Sequence, residues 1–185
     1  AVTVGRHVIS ERDILEDLRL SAFLDGKPPD FSGEQKRKAA DRLIDQYLVL
    51  EDAAVTRAAL ATPGDAAPLL VPVKARYATD TEYRAALAQA RITDAELSAH
   101  LLAGLRMLRY TDVRFRPEAQ VTEEGLRAYY DTLAAQYPQA ARNFEESREQ
   151  IEKLLTDQQT MRSLDAWLSM TRDETEILYR EAVFK

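Results

Sequence analysis

The chain has 185 residues, of which 45% are hydrophobic and 30% charged, and this composition is typical of a folded protein rather than a disordered one. The net charge of -6 argues against a general nucleic-acid-binding protein, because such proteins bind phosphate through an excess of cationic side chains. The lack of cysteine excludes disulfides, thiolate nucleophiles and cysteine-ligated zinc, and it leaves the cellular compartment open.

The sequence contains no pattern typical of membrane insertion or export. No apolar run approaches the roughly 20 residues that span a bilayer, so we expect no transmembrane helix. The chain opens on Ala1 without the apolar core of a signal peptide, as a mature exported protein or a trimmed chain would.

Both ends of the chain have the pattern of β-strands. Val2–Val4 and His7–Ile9 flank Gly5 and Arg6, which predicts a tight hairpin of two short strands. Residues 176–184 are rich in β-branched and aromatic side chains and predict a C-terminal strand. Because an isolated two-stranded hairpin is marginal in water, we expect the three strands to form one small sheet.

Between these strands the apolar residues have the spacing of amphipathic helices. Capping residues such as Ser10 and Thr93, each with an acidic residue three positions later, indicate where helices begin. The pattern predicts six helices, over about residues 10–26, 32–61, 79–90, 93–116, 122–137 and 144–170. The predicted fold is therefore mostly α, a helical bundle with a small β-sheet formed by the N-terminal hairpin and the C-terminal strand.

The expected domain organisation is a single domain over residues 1–185, in which residues 1–137 and 143–185 pack together. Thr62, Pro63 and Gly64 end the second helix, and Pro68 and Pro72 favour an extended backbone beyond it. We therefore predict a loop over residues 62–78 that is suited to act as a hinge.

The sequence gives little indication of catalytic or metal chemistry. Its two histidines are His7, expected on an exposed strand, and His100, one helical turn after Glu96. Di-iron bundles use Glu-x-x-His motifs on two helices and further glutamates, whereas here a single pair has a different spacing. No Gly-rich phosphate loop or nucleophile elbow is present either. We predict no metal site, no cofactor and no catalytic residues.

A basic cluster between residues 106 and 116 could bind nucleic acid or an acidic head group. It contains Tyr110 and Phe115 among the arginines Arg106, Arg109, Arg114 and Arg116. In an acidic protein we favour pairing of these arginines with neighbouring carboxylates, with the two aromatic rings packed inward. We therefore expect no nucleic acid as a partner and no insertion of the chain into a membrane.

The eight tyrosines, five phenylalanines and three methionines are spread over the helical segments. Most of them are expected in the core, since aromatic residues and methionines at helical spacing usually pack there. Any of these aromatic residues and methionines that line a groove instead would suit promiscuous binding, because such side chains adapt to different partners.

The order of the segments resembles that of a known family. The pattern is carried by residues 4–14, 42–51, 83–87, 92–97, 114–117, 121–124, 144–151, 167–168 and 177–184. It resembles the N-terminal chaperone domain of SurA-type periplasmic proteins, together with their C-terminal helix and strand. The resemblance covers nearly the whole chain as a diffuse pattern of helical stripes.

The chain departs from most members of that family between residues 133 and 144. There the relatives carry one or two parvulin-type prolyl isomerase domains, whereas this chain has only residues 134–143. That stretch is far too short for a domain of roughly a hundred residues. The resemblance therefore implies the chaperone module alone, without prolyl isomerase activity.

The function that the resemblance implies is ATP-independent holding of unfolded or partly folded polypeptides in the periplasm, especially aromatic-rich outer-membrane proteins. Client segments would lie in a groove between helices, with weak contacts and fast release. We expect five residues to contribute to such a surface, namely Tyr47, Met107, Tyr110, Tyr130 and Tyr137.

Three further hypotheses remain open at the level of the sequence. The C-terminal strand could reach the hairpin of another chain, which would give a homodimer with exchanged segments. A helical adaptor that docks one defined partner would share the same fold, and breadth of binding would distinguish it from a chaperone. A metal- or ligand-dependent enzyme is disfavoured by the lack of ligand clusters.

Overall fold

The computed structural model describes residues 1–58, 60–137 and 143–185, and 75% of the chain is helical. The described residues form two compact units. Unit 1 contains Ala1–Tyr110 and Met170–Lys185, and unit 2 contains Thr111–Ser169. Packing of the two parts as a single domain stays a prediction.

Unit 1 contains a three-stranded antiparallel sheet built from both ends of the chain. Its strands are β1 (Val2–Val4), β2 (His7–Ile9) and β3 (Ile177–Tyr179), in the order β2-β1-β3. Gly5 has a φ of 55° at the first position of the hairpin turn, a conformation that favours glycine. The predicted sheet is confirmed. In this single chain β3 pairs with β1 of the same molecule, and exchange between two chains stays a prediction.

The C-terminal strand is shorter than the sequence predicts. It ends at Tyr179, and Glu181–Phe184 form a 3₁₀ turn instead. The turn packs on the start of the second helix, where Lys36 Nζ donates to the carbonyl of Val183 (3.1 Å) and Arg37 binds the carboxylate of Glu181. These contacts direct the chain away from the sheet.

The described residues contain seven α-helices, and most begin where the capping residues predict. Ser10 and Asp13 form a complete capping box, and Glu96 and Thr93 bond each other reciprocally. The helices are α1 (Glu11–Asp25), α2 (Gly33–Thr56), α3 (Ala67–Lys74), α4 (Asp80–Ala90), α5 (Asp94–Arg114), α6 (Glu123–Gln136) and α7 (Phe144–Glu174).

The prediction of an extended loop over residues 62–78 is wrong for much of its length. Residues Pro63–Ala66 form a 3₁₀ turn that leads into α3. Pro68 is tolerated in the first turn of α3, where its missing N–H would have no helical partner. Leu70 and Val73 are buried against Tyr83 and Leu97, and this burial offsets the cost of Pro72 inside the helix.

The second helix is also shorter than predicted. It ends at Thr56 rather than near Ala61, because Arg57 adopts a left-handed conformation with a φ of 54° and caps the helix. The last helix is one turn longer than predicted and ends at Glu174.

The core of unit 1 lies between its helices and behind the sheet. The inward faces of β1 and β2 supply Val2, Val4 and Ile9, as the alternation of side chains along a strand requires. A second cluster joins α1, α3, α4 and α5 through Leu20, Leu70, Val73, Tyr83, Leu87, Ile92 and Leu97.

Unit 2 consists of the end of α5, a 3₁₀ turn over Arg116–Glu118, α6 and most of α7. Its buried side chains include Leu126, Ile151 and Leu164. The rings of Phe115 and Trp167 lie 6.0 Å apart and are tilted by 50°.

The basic cluster pairs with carboxylates, as the sequence predicts for an acidic protein. Tyr110 and Phe115 are buried, which confirms their inward packing. Arg106 donates instead to a backbone carbonyl, that of Ala61 (3.0 Å). The ion pairs are Arg109 with Asp65 (2.8 Å), Arg114 with Glu118 (3.7 Å) and Arg116 with Asp112 (2.9 Å).

Candidate peptide-binding cleft

An open cleft of about 420 Å³ lies in unit 1. It is bounded by the last turns of α1, the loop that follows them, Tyr77 after α3, and the second half of α4. We call it the α1–α4 cleft, and its lining residues are Arg19, Ala22, Phe23, Gly26, Lys27, Pro28, Pro29, Tyr77, Ala86, Gln89 and Ala90.

The loop wall of the cleft is fixed by the way α1 ends. Gly26 has a φ of 66°, which lets its N–H reach back to the last turn of the helix. The N–H of Lys27 also bonds back, to the carbonyl of Ala22 (3.0 Å). Pro28 and Pro29 cannot continue the helix, so they direct the chain away from it and form one edge of the cleft.

The aromatic wall combines residues from α1 and from the segment after α3. The rings of Phe23 and Tyr77 are stacked, with centroids 6.3 Å apart and planes 12° apart. Tyr77 packs in turn against the ring of Tyr83 (5.6 Å). Arg76 donates to the carbonyl of Leu24 at 2.6 Å, which ties this segment to the end of α1. The aromatic wall is therefore held by contacts on both sides.

Tyr83 anchors α4 below this wall. Its ring is buried, and its hydroxyl donates to Asp94 at 2.7 Å. Burial raises the pKa of the Tyr83 phenol, and the hydrogen bond to the Asp94 carboxylate raises it further. The hydrogen bond from Tyr83 also lowers the pKa of Asp94, which pairs with Lys74 at 3.2 Å as well. The hydrogen bond between Tyr83 and Asp94 therefore links α4 to the start of α5.

The α4 side of the cleft is open because its side chains are small. Ala86 and Ala90 lie one turn apart on the helix and line the cleft together. Gln89 adds an amide that can both donate and accept a hydrogen bond. The cleft thus offers aromatic, proline and alanine surface with one amide and two cationic side chains, Arg19 and Lys27, which suits binding of an extended segment.

A second, smaller cavity of about 200 Å³ lies between α1, α2 and α5. Asp17 lines it, with a side chain that is only 3% exposed. One carboxylate oxygen of Asp17 pairs with Arg42, and the other has no hydrogen-bond partner among the described residues. The Nδ1 atom of His100 is 3.6 Å from that second oxygen.

Burial lowers the pKa of His100. The charge of Asp17 opposes this effect, but Arg42 partly cancels that charge and lowers the pKa of His100 as well. Across the same cavity, burial and the nearby Glu96 raise the pKa of Glu16.

The pair of Glu96 and His100 considered for a metal lines this cavity. The carboxylate of Glu96 accepts from the N–H and the hydroxyl of Thr93, so it is engaged in the cap of α5. Within the described ranges, no three histidine or carboxylate side chains are grouped in a way that could hold a metal ion.

The five residues predicted for peptide binding are divided between the two units. Three of them belong to unit 1. Tyr47 stacks on His7, with centroids 4.3 Å apart, and Met107 lines a small cavity between α2 and α5. Tyr110 is only 1% exposed, and its hydroxyl donates to Asp52 at 2.5 Å.

The other two belong to unit 2. Tyr130 packs edge-on against Phe144, with centroids 5.4 Å apart. Tyr137 follows the last turn of α6 and is 61% exposed. No single unit therefore contains all five residues, and their contact with peptide stays a prediction.

The residues of the α1–α4 cleft were not identified from the sequence. Gly26, Pro28 and Pro29 indicated only the end of a helix, and Tyr77 lay in a segment predicted as a loop. The adjacent prolines after a glycine were the one available signal, because they give an exposed and rigid edge beside a helix end.

Comparison with known proteins gives no match: no family model, no curated protein and no solved structure matches the chain. The resemblance to SurA-type chaperones therefore stays a prediction. Over the described residues, none of the helices combines the length and the hydropathy needed to cross a bilayer.

Proposed function

We propose that this protein is an ATP-independent chaperone that holds unfolded or partly folded polypeptides, with client segments bound in the α1–α4 cleft. The observation that carries the proposal is the cleft itself, which presents stacked aromatic rings, two prolines and small alanines to solvent. The resemblance to SurA-type proteins adds the periplasm as the compartment, outer-membrane proteins as clients, and a lack of prolyl isomerase activity.

The size of the cleft favours weak binding of a short segment. At about 420 Å³ it lies at the lower end of the roughly 300–1,000 Å³ of small-molecule sites. It therefore accommodates a few side chains of an extended segment rather than a folded domain. A client held through several such contacts would dissociate rapidly, which suits a chaperone that works without nucleotide.

Unit 1 also exposes single apolar side chains outside the cleft. Val55 is 83% exposed, and Val71 and Leu108 are each about two thirds exposed (65% and 64%). Scattered exposed apolar residues are ordinary on a protein surface, so they support the proposal only as secondary contacts for a long unfolded client.

The test is the breadth of binding and its dependence on the cleft. Several unrelated unfolded proteins, each carrying a fluorescent label, are titrated with the wild-type chain without ATP. We expect all of them to bind, and Ala86→Glu to weaken them all because its side chain fills the cleft. Ala85→Glu is the matched control, since it adds the same charge at an exposed position of α4 outside the cleft.

Two outcomes would contradict the proposal. Binding to only one of the unfolded proteins would favour the adaptor. Equal losses in Ala86→Glu and Ala85→Glu would show that charge, rather than occupation of the cleft, causes the effect.

A further inference from the structure

We propose that the α1–α4 cleft selects client segments in which a carboxylate lies next to an aromatic or aliphatic side chain. This inference rests on the proposed function and adds the class of segment that the cleft prefers. It follows from the charges that surround the apolar surface.

The charged residues that line the cleft are both cationic. Arg19 projects from α1, and Lys27 lies in the loop beyond it, while no aspartate or glutamate is among the lining residues. Among the described residues, neither cation has a carboxylate within 4.0 Å, and the guanidinium of Arg19 lies 5.9 Å from the ring of Phe31. Glu16 and Glu96 are close enough to interact with the charge of Arg19 through space, but neither lines the cleft or forms an ion pair with it. Both cations are therefore available to an incoming anion.

Several arginines elsewhere in unit 1 are neutralised by carboxylates, as Arg42 is by Asp17 and Arg172 by Asp45, whereas Arg19 and Lys27 line the cleft without such a pair among the described residues. The chain as a whole carries a net charge of -6, which repels an acidic ligand at long range. Any preference for an acidic segment must therefore come from the local charges of the cleft.

The negative end of α1 does not cancel these cations. Carbonyl groups at a helix C-terminus carry partial negative charge, which would repel a carboxylate if they were exposed. Here the carbonyls of Ala22 and Phe23 accept from the N–H of Gly26, and the carbonyl of Leu24 accepts from Arg76. These groups are occupied, so they present little negative potential to the cleft.

The two carboxylates that flank the loop, Asp25 and Asp30, do not line the cleft. Asp30 accepts the backbone N–H of Ser32 at 2.8 Å, and this bond holds the carboxylate toward the start of α2. An acidic client group would therefore meet Arg19 and Lys27 without a competing carboxylate from the lining.

The experiment uses short labelled peptides that differ at one position. Each carries the same aromatic residues, and the position beside one aromatic residue is aspartate, asparagine or lysine. Binding to the full chain is followed by fluorescence anisotropy at low and at high salt. Because exposed ion pairs contribute modestly, we expect the aspartate peptide to bind about two- to tenfold more tightly than the asparagine peptide at low salt. High salt should reduce this difference.

Two double variants locate the effect. Arg19→Gln with Lys27→Gln should abolish the preference for aspartate while the asparagine peptide still binds. Arg6→Gln with Lys153→Gln is the control, because it removes the same charge from exposed positions outside the cleft and should keep the preference.

Each remaining outcome has a distinct meaning. Equal binding of all three peptides, or tighter binding of the lysine peptide, would overturn the selectivity and leave the proposed function intact. If none of the peptides bound, the cleft would not be a peptide site, and both proposals would fail. Loss of the preference in the control variant would assign it to net charge and overturn the inference.

Discussion

Gly33→Ala tests how closely the C-terminal turn packs on α2. Gly33 is the first residue of α2, and a Cβ atom added there would lie 2.0 Å from the carbonyl oxygen of Phe184 and 2.9 Å from its carbonyl carbon. Non-bonded carbon and oxygen atoms do not approach so closely. The turn over Glu181–Phe184 must therefore move by about 1 Å or more to accept a methyl group.

The cost follows from the contacts that this movement disturbs. The turn is held by Lys36, which donates to the carbonyl of Val183, and by Arg37, which binds the carboxylate of Glu181 and lies 4.8 Å from the centre of the Phe184 ring. Forcing an extra methyl group into a packed site costs about 1–3 kcal/mol. The better helix propensity of alanine offsets at most about 1 kcal/mol. With about 2 kcal/mol as the middle of the packing cost, we expect a net loss of about 1–2 kcal/mol, or roughly 2–8 °C in melting temperature.

The assay is thermal unfolding by circular dichroism, combined with hydrogen exchange of the C-terminal segment. Exchange at the N–H of Arg180, which donates to the carbonyl of Ala1 at 2.8 Å, should be faster in Gly33→Ala. Gly104→Ala is the control. It lies in the interior of α5 with no atom within 4 Å of an added Cβ, so it should stabilise the protein by about 0.5–1 kcal/mol. If Gly33→Ala were as stable as Gly104→Ala, with unchanged exchange, the close packing of the turn would be refuted.

Three other predictions concern the interior of unit 1. Because burial lowers the pKa of His100, the unfolded state binds its proton more readily, so stability should fall as the pH drops through about 6.5. In urea unfolding, the stability of His100→Gln should fall less than that of the wild type over the same pH range. An unchanged pH dependence would contradict this. Tyr83→Phe should cost about 0.5–1.5 kcal/mol in the same assay, since Asp94 loses one hydrogen bond, and a stabilised variant would argue against that bond. Leu97→Ala, at a fully buried position, should cost about 2–5 kcal/mol, whereas the exposed Leu154→Ala should cost much less; equal losses would refute this placement.

Local signals predicted those parts of the fold that depend on neighbouring residues. The hairpin follows from Gly5 between two short strands, and the starts of α1 and α5 follow from Ser10 and Thr93 with their capping partners. Each of these features is decided within a few positions of the chain. They could therefore be predicted without knowledge of the rest of the fold.

The failures depend on contacts between segments that are distant in sequence. Helix α3 forms because Leu70 and Val73 pack against α4 and α5, which the proline content of that segment could not reveal. Likewise, the α1–α4 cleft joins Phe23 to Tyr77, and no periodic pattern links two residues so far apart.

Whether an aromatic residue in a predicted helix belongs to the core or to a binding surface was also hard to predict. Tyr110 and Tyr137 both lie in predicted helices, yet the first is buried and the second is 61% exposed. Whether such a ring packs in the core or faces solvent depends on the elements that cover it. The buried Tyr110 would support a binding surface by linking α5 to Asp52 of α2 rather than by touching a client.

The most direct test of the proposed function is light scattering of a chemically unfolded outer-membrane β-barrel protein diluted into buffer without ATP. The measurement compares the client alone with the client plus equimolar wild-type chain, Ala86→Glu or Ala85→Glu. We predict that the wild type and Ala85→Glu suppress aggregation and that Ala86→Glu does so much less. Aggregation that is unchanged by the wild-type chain would contradict the holdase function, and the protein that co-purifies with the chain would then become the subject of study.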